Sequence, residues 1–319
     1  MRAHELTVFF VVQKGALSLR ARFLALSLRR FMSPYLHLRA AIPEDTPPPD
    51  DETLDLLAAL GVQFEVFEPD LMKRHAYPIG NKIDAATLPF RTRYALFLDS
   101  DMLMMRNFAT WKLGEPQLSA RPIFGAQAFA GKGARAIEAF ATERLGIDPA
   151  EYAAREPQFS SRAETFFAVC NSGAVLFDTE TDFATRWRDV ADQVLSSDLP
   201  KGLRHPYADQ AALALVMAEG RHSFQWLPRF FNSSVSSDRT PILMHYFRFP
   251  SALARPDSHA IVLELQEEAA RKGFNALGEL TVKDLAYFRR PPKLPDNVDP
   301  VFAMAGQGES SDDEGSDDA

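Results

Sequence analysis

The chain has 319 residues, 46% of them hydrophobic and 24% charged, enough to bury a large core within one catalytic-size unit. The formal net charge is −8, and the segment Glu309 to Ala319 carries six acidic side chains and no base, so the body is close to neutral. That balance lacks the clustered basic surface that nucleic acid requires, and no nucleic-acid partner is expected. The single cysteine, Cys170, excludes an intrachain disulfide framework and a paired-cysteine zinc site, and it fits a reducing, cytoplasmic setting.

The first apolar run, LTVFFVV (6–12), is too short to span a bilayer and reads as a strand. Residues 18–32 read as a helix whose Arg20, Arg22, Arg29 and Arg30 sit among apolar residues. Such a helix suits a peripheral membrane contact, but packing on a sheet with snorkelling arginines is the favoured reading. Residues 35–43 are a second strand, 47–61 a proline-rich turn with an acidic helix start and a stop at Gly61, and 62–69 a third strand. A turn-rich stretch, 77–93, holds a short helix and leads into the apolar strand YALFLDSDMLMM, Tyr94 to Met105. This βαβαβ alternation predicts a parallel sheet covered on both faces.

Strands are then expected at 121–130, 166–178, 223–232 and 240–249, with helices at 134–146 and 181–197 and a loop running into a helix over 199–220. Residues 152–165 read as an irregular polar stretch. An amphipathic helix over 259–273, a short second helix, a proline-rich exit at 289–300 and a disordered acidic tail complete the expectation.

Asp99 and Asp101 interrupt the most hydrophobic strand at its carboxyl end, where ligands of parallel α/β sheets sit. Side chains two apart in extended backbone share a face, so both acids could meet one hard cation. By itself the triplet is equally compatible with a polar turn. His245 closes the apolar run PILMH; alone it reads first as a hydrogen-bonded structural histidine. Asp209 opens a helix, where an Asp is an ordinary N-terminal cap, and that reading says less about Gln210. Asn171, Ser172 and Gly173 interrupt another apolar run, as where a ligand meets backbone. Gly131, Gly133 and Ala136 fit a loose G-x-G-x-x-A, but mid-chain and without a following acid they read as a loop. Cys170 reads as core, and the Asn-x-Ser triplet at Asn232 is set aside as a glycosylation acceptor.

FLDSD, NSGAVLFD, DQAAL, LPRFFN and LMHYF occur in that order. Over residues 6–250 the series resembles the family 8 glycosyltransferases, the glycogenin and galactosyltransferase-like group of the GT-A fold. The resemblance implies an α/β, Rossmann-like GT-A architecture with a mixed, mainly parallel sheet flanked by helices. A single transferase domain would cover 1–250, a C-terminal helical extension 251–295 and the disordered tail 296–319. The implied activity is transfer of a sugar from a nucleotide-sugar donor, usually a uridine diphosphate (UDP) sugar, with retention and dependence on Mn²⁺ or Mg²⁺. The acceptor, whether glycan, lipid or protein, is not identified; its specificity is expected between Gly131 and Thr165 and in the C-terminal helices.

Carried over residue by residue, the resemblance makes Asp99, Asp101 and His245 the metal ligands. It makes Asn171, Ser172 and Gly173 the lining of the donor sugar, and Asp209 and Gln210 the catalytic pair facing the reacting carbon. Lys82, its neighbour Asn81, and Ser100 fall in the donor site, and the backbone of Val12 and Gln13 would carry the base. Three departures stand out: Ala211 replaces the acid of the usual Asp-Gln-Asp, the Asn that often follows it is absent, and no Lys-Pro-Trp follows His245, where Arg248 stands instead. Two other readings use the same residues. One is a sugar-nucleotide nucleotidyltransferase, although QKGALSLRAR is a poor version of its Gly-rich basic loop. The other is a catalytically silent nucleotide-sugar-binding protein.

Overall fold

In a computed structural model, which describes residues 1–123, 127–155, 165–228, 230–237 and 240–278, the early apolar runs become strands. β1 (Leu6–Val11) passes through α1 (Ala16–Phe31) to β2 (His37–Pro43), and α2 (Asp51–Ala59) leads to β3 (Val62–Phe67). The short helices α3 (Asp70–His75) and α4 (Asn81–Ala86) precede β4 (Tyr94–Leu98), and β5 (Met102–Met104) follows. Then come β6 (Leu118–Pro122), α5 (Lys132–Leu145), α6 (Pro149–Arg155), β7 (Cys170–Asp178), α7 (Phe183–Ser196), α8 (Lys201–Arg204) and α9 (Ala208–Glu219). β8 (Phe224–Trp226), β9 (Ser233–Ser234), β10 (Leu243–His245), α10 (Phe249–Ala254) and α11 (Pro256–Arg271) complete the described elements.

The main sheet has the order β3-β2-β1-β4-β7-β6-β8, with β7 antiparallel to both of its neighbours and the other pairings parallel. A second, small sheet has the order β5-β10-β9. The strands at the centre read as unbroken apolar runs because both of their faces are covered. Leu6, Val8 and Phe10 of β1 and Tyr94, Leu96 and Leu98 of β4 join a core with α1, α11 and the small sheet. Phe9, Ala95 and Phe97 point the other way, into a core with α5, α7 and α9.

Three arginines of α1, Arg22, Arg29 and Arg30, are engaged by partners within the protein. Buried Arg22 donates to Thr53 at 2.7 Å and pairs with Asp50 and Glu52, while Arg29 donates to the carbonyls of Leu60 and Leu36. Arg30 pairs with Glu264 and Glu268 on α11. No helix among the described residues is long and apolar enough to cross a membrane.

Several expected elements shift. The strand expected over 121–130 ends at Pro122, with Ile123 still bonded to Val169, and Gln127–Phe129 is a 3₁₀ turn whose Phe129 is buried. Phe129 there serves loop packing and not a ladder, and residues 124–126 lie outside the described ones. The irregular stretch at 152–165 begins as the end of α6, and residues 156–164 lie outside the described ones. The strands expected over 166–178, 223–232 and 240–249 shrink to Cys170–Asp178, Phe224–Trp226 with Ser233–Ser234, and Leu243–His245. In the last two, Phe230, Asn232 and Phe247 take positive φ (67°, 58° and 58°), which breaks the extended path. The short second helix, the proline-rich exit and the acidic tail lie outside the described residues.

α4 is anchored through Asp84, a buried carboxylate that accepts the Leu71 N–H at 3.0 Å and whose other oxygen has no partner among the described residues. Burial pushes this carboxyl up to about 6, against the pull of the Leu71 hydrogen bond. The folded chain therefore holds the proton more tightly than the unfolded chain. The group's contribution to stability is complete below about pH 4 and declines as pH rises through about 6. Asp84→Asn keeps an acceptor for Leu71 and removes the ionisation. In denaturant unfolding between pH 4 and 7, the variant should gain stability relative to the parent as pH rises; a pH-independent difference would contradict this account.

Candidate functional site

β4 and β1 run parallel in register from Leu6 opposite Tyr94 to Phe9 opposite Phe97, so their carboxyl ends lie side by side. The chain leaves β4 through Asp99, Ser100 and Asp101 and enters β5 at once, crossing from the main sheet to the small one. In the small sheet His245 of β10 lies opposite Met102 of β5, one residue beyond Asp101. Two sheets thus meet at the acids, and the register of the second brings the histidine back to them.

Ligand atoms of Asp99, Asp101 and His245 all lie within 4.8 Å of one another. His245 Nε2 stands 3.1 Å from Asp101 Oδ1 and 3.9 Å from Asp99 Oδ2. Two carboxylates and one imidazole fit a divalent ion such as Mg²⁺ or Mn²⁺. Space for the cluster depends on Gly173, where a Cβ would come within 2.8 Å of Asn171 Oδ1, His245 Cε1 and Met102 Cε. The Gly173 carbonyl accepts the Asp99 N–H at 2.7 Å. Burial pushes the Asp99 carboxyl up, against the opposing charge of Lys82. Asp101 is half-buried, which pushes its carboxyl up, but the hydrogen bond and charge of His245 outweigh that and hold it below the usual carboxylate range.

Behind Asp99 lies a buried polar knot. Lys82 Nζ, on α4, is 2.8 Å from Asp209 Oδ2, 3.0 Å from Ser172 Oγ and 3.3 Å from Asp99 Oδ1. Ser172 donates a short hydrogen bond to Asp209 Oδ2, and Tyr77 donates to Asp209 Oδ1 at 2.8 Å. Burial alone would pull the Lys82 ammonium down, yet Asp209 and Asp99 outweigh it and leave the pKa above its ordinary value. Burial likewise pushes the Asp209 carboxyl up, but Lys82, Ser172 and Tyr77 bring it below its ordinary value. Asp209 therefore sits in the first turn of α9 without capping that helix, its oxygens turned into the knot. Beside these groups, the side-chain oxygen of Gln210 and both amide atoms of Asn81 are buried without a hydrogen-bond partner among the described residues.

The remaining expected site residues fall as follows. Val12 is buried just past the end of β1, its N–H on the Ala41 carbonyl, and the Gln13 carbonyl accepts the Ser18 hydroxyl at 2.8 Å. Ser100 is buried in the turn between the acids. Arg248 is exposed in the bend after β10 and is not drawn into the knot. Cys170 is buried in core, and burial pushes its thiol up. Gly133 lies in the first turn of α5, where a Cβ would meet the Ala128 carbonyl at 2.0 Å. Gly133 serves that close approach, while Gly131, the residue before α5, takes a positive φ of 54° and has open space where a Cβ would stand.

Sequence reasoning missed four neighbours of the site. Arg20 NH1 stands 3.7 Å from Asp101 Oδ2. Its place early in the helix after β1, at the ligand end of the sheet, was the available signal. Tyr77 carried none. The Phe247 ring stacks on the His245 imidazole with centroids 4.1 Å apart. Asn232, discounted as a sequon, is buried, and its amide bonds His245 and Asn171.

The fold is similar to that of two solved glycosyltransferases. One is the galactosyltransferase LgtC in complex with donor and acceptor sugar analogs, with 11% identity, a TM-score of 0.50, and 88% of this chain and 99% of that one covered. The other is the bifunctional glycosyltransferase WbbM in its apo form, with 12% identity and a TM-score of 0.50. That alignment covers 89% of this chain and 51% of WbbM, so the chain spans about half the length of that protein. The mixed, mainly parallel sheet flanked by helices is the GT-A architecture. No curated protein matches the sequence. Residues 8–221 match the model of the Rhodobacterales glycosyltransferase domain, and the chain belongs to that family of GT-A glycosyltransferases.

Proposed function

We propose that the domain is a metal-dependent transferase that takes a sugar from a nucleoside diphosphate donor, in the first place a UDP-sugar. It passes the sugar to an acceptor with retention at the anomeric carbon. The observation that carries this reading is the convergence of Asp99, Asp101 and His245 on one point, with buried Lys82 behind them. A Mn²⁺ or Mg²⁺ ion held by those three side chains would act as a Lewis acid toward the departing diphosphate.

The chain's own residues supply the rest. Lys82 presents a fixed positive charge, and Arg20 beside Asp101 adds a second cation at the same end of the sheet. Arg248 is an outer cation in this proposal. Asp209 keeps Lys82 charged and in place, since its oxygens are occupied by Lys82, Ser172 and Tyr77. That leaves Gln210, with its unpartnered oxygen, to face the positive character that grows at the anomeric carbon. The amide of Asn81, with the polar atoms of Asn171 and Ser172, meets the sugar hydroxyls. The backbone of Val12 and Gln13 receives the base, and Ser100 lies against the diphosphate. Retention follows from attack on the face that the diphosphate leaves, with a phosphate oxygen accepting the acceptor's proton. This step rests on the family 8 resemblance.

Incubation with UDP-sugars and Mn²⁺ should release UDP without pyrophosphate, and a chelator should stop the release. Asp101→Asn and His245→Ala should each lower metal-dependent turnover by about 100-fold or more. Unchanged release by Asp101→Asn would overturn the metal assignment, and pyrophosphate release from a nucleoside triphosphate would favour the nucleotidyltransferase reading.

Lys82→Met strands the buried Asp209 charge and should cost about 3–5 kcal/mol of stability in denaturant unfolding. The double variant Lys82→Met with Asp209→Asn should lose less than Lys82→Met alone. Equal losses would show that Asp209 does not depend on Lys82 for its counter-charge.

A further inference from the structure

We propose that Asn232 is a positioning residue that sets the tautomer of His245, relaying hydrogen-bond polarity from the Gly173 backbone to the imidazole. The relay starts at a group whose role is unambiguous. The Gly173 N–H lies 2.8 Å from the Asn171 side chain, and a backbone amide can only donate, so the Asn171 atom facing it is oxygen. That same oxygen meets the Asn232 side chain at 3.0 Å, and Asn232 must therefore present its NH₂ there. The other end of the Asn232 amide, its oxygen, then faces His245 Nδ1 at 3.2 Å. An oxygen accepts, so Nδ1 carries the hydrogen, and in the neutral ring Nε2 keeps its lone pair toward Asp99 and Asp101.

Asn232 meets two demands that few residues meet together. Its φ of 58° lies in the left-handed region, which Gly, Asn and Asp tolerate best. Gly has no side chain to relay with, and Asp accepts at both ends and cannot donate to Asn171. The site is 8% exposed, so water is a poor substitute for the amide. Asp101 alone would draw the ring hydrogen to Nε2, 3.1 Å away, so an Nδ1–H ring is not what the acids by themselves dictate. Gly173 thereby acts on both halves of the cluster, through its carbonyl on Asp99 and through its N–H on His245.

The relay itself stands apart from the metal reading; its consequence for metal affinity rests on that reading. ¹H–¹⁵N correlation of the histidine rings in the metal-free protein above pH 9 should show His245 with hydrogen on Nδ1; hydrogen on Nε2 would overturn the proposal. Asn232→Ala should move that hydrogen to Nε2, while Asn232→Asp, still an acceptor, should keep it on Nδ1. By electron paramagnetic resonance of free Mn²⁺, Asn232→Ala should bind about 10–100-fold more weakly than the parent, and Asn232→Asp should lose less. If His245→Ala weakens Mn²⁺ binding and Asn232→Ala changes neither affinity nor tautomer, the relay is wrong and the metal site stands. If the parent binds no Mn²⁺, the metal reading fails and the ring spectrum alone decides the relay. Should Asn232→Ala fail to fold, the spectra of the parent and of Asn232→Asp still decide it.

Discussion

The candidate site depends on one buried ammonium. Lys82 is 7% exposed and stands against Asp99 and Asp209, two carboxylates far apart in the sequence. Without it, Asp99, Asp101 and Asp209 would concentrate negative charge in a poorly solvated pocket, where like charges repel strongly. With it, α4, β4 and α9 are drawn to one point, and Ser172 and Tyr77 complete the shell. A buried ion pair adds little net stability over a well-packed apolar pair, so its value here lies in position. It favours the charged form of Asp209 and orients both acids where an apolar contact could not.

Around that charge, the architecture solves a problem of reach. Asp99 and Asp101 lie on a turn, and turns are ordinarily looser than strands. Here the turn is clamped at both ends, by β4 in the main sheet and by β5 in the small one. Gly173, on the antiparallel strand β7, adds a third fastening through its carbonyl. The backbone that carries the acids therefore has little freedom, which is what an electrostatic site needs if its groups are not to reorganise during reaction.

How much of this was legible in the sequence depended on whether a residue contradicted its surroundings. Asp99 and Asp101 were visible because charge interrupts an apolar run, and Asn171 with Ser172 because polar letters interrupt another. His245 looked like a structural histidine until its place in the motif order was considered. The alternation of the first hundred residues announced the parallel half of the sheet, as its two-sided burial explains. The direction of β7 was not readable, since a strand buried on both faces has the same composition whichever way it runs. Phe230 and Phe247 were expected within strands because bulky aromatics favour extended backbone, and nothing in their letters signals a positive φ. Tyr77 and Arg20 are ordinary residues locally. Tertiary register alone gives them their partners, and single-chain pattern reading does not reach that level.

The cluster draws on stretches far apart in the chain: Lys82, the turn at Asp99 to Asp101, the start of β7 at Asn171 to Gly173, Asp209, and finally His245. This ordering has a consequence for biogenesis. Contacts of such long sequence separation form late and slowly, and a chain emerging from the ribosome lacks the histidine until most of the domain has been made. The three-residue cluster is therefore complete only once β10 has joined β5 in the small sheet. Whatever that complete cluster recognises can reward only a chain in which β10 has docked.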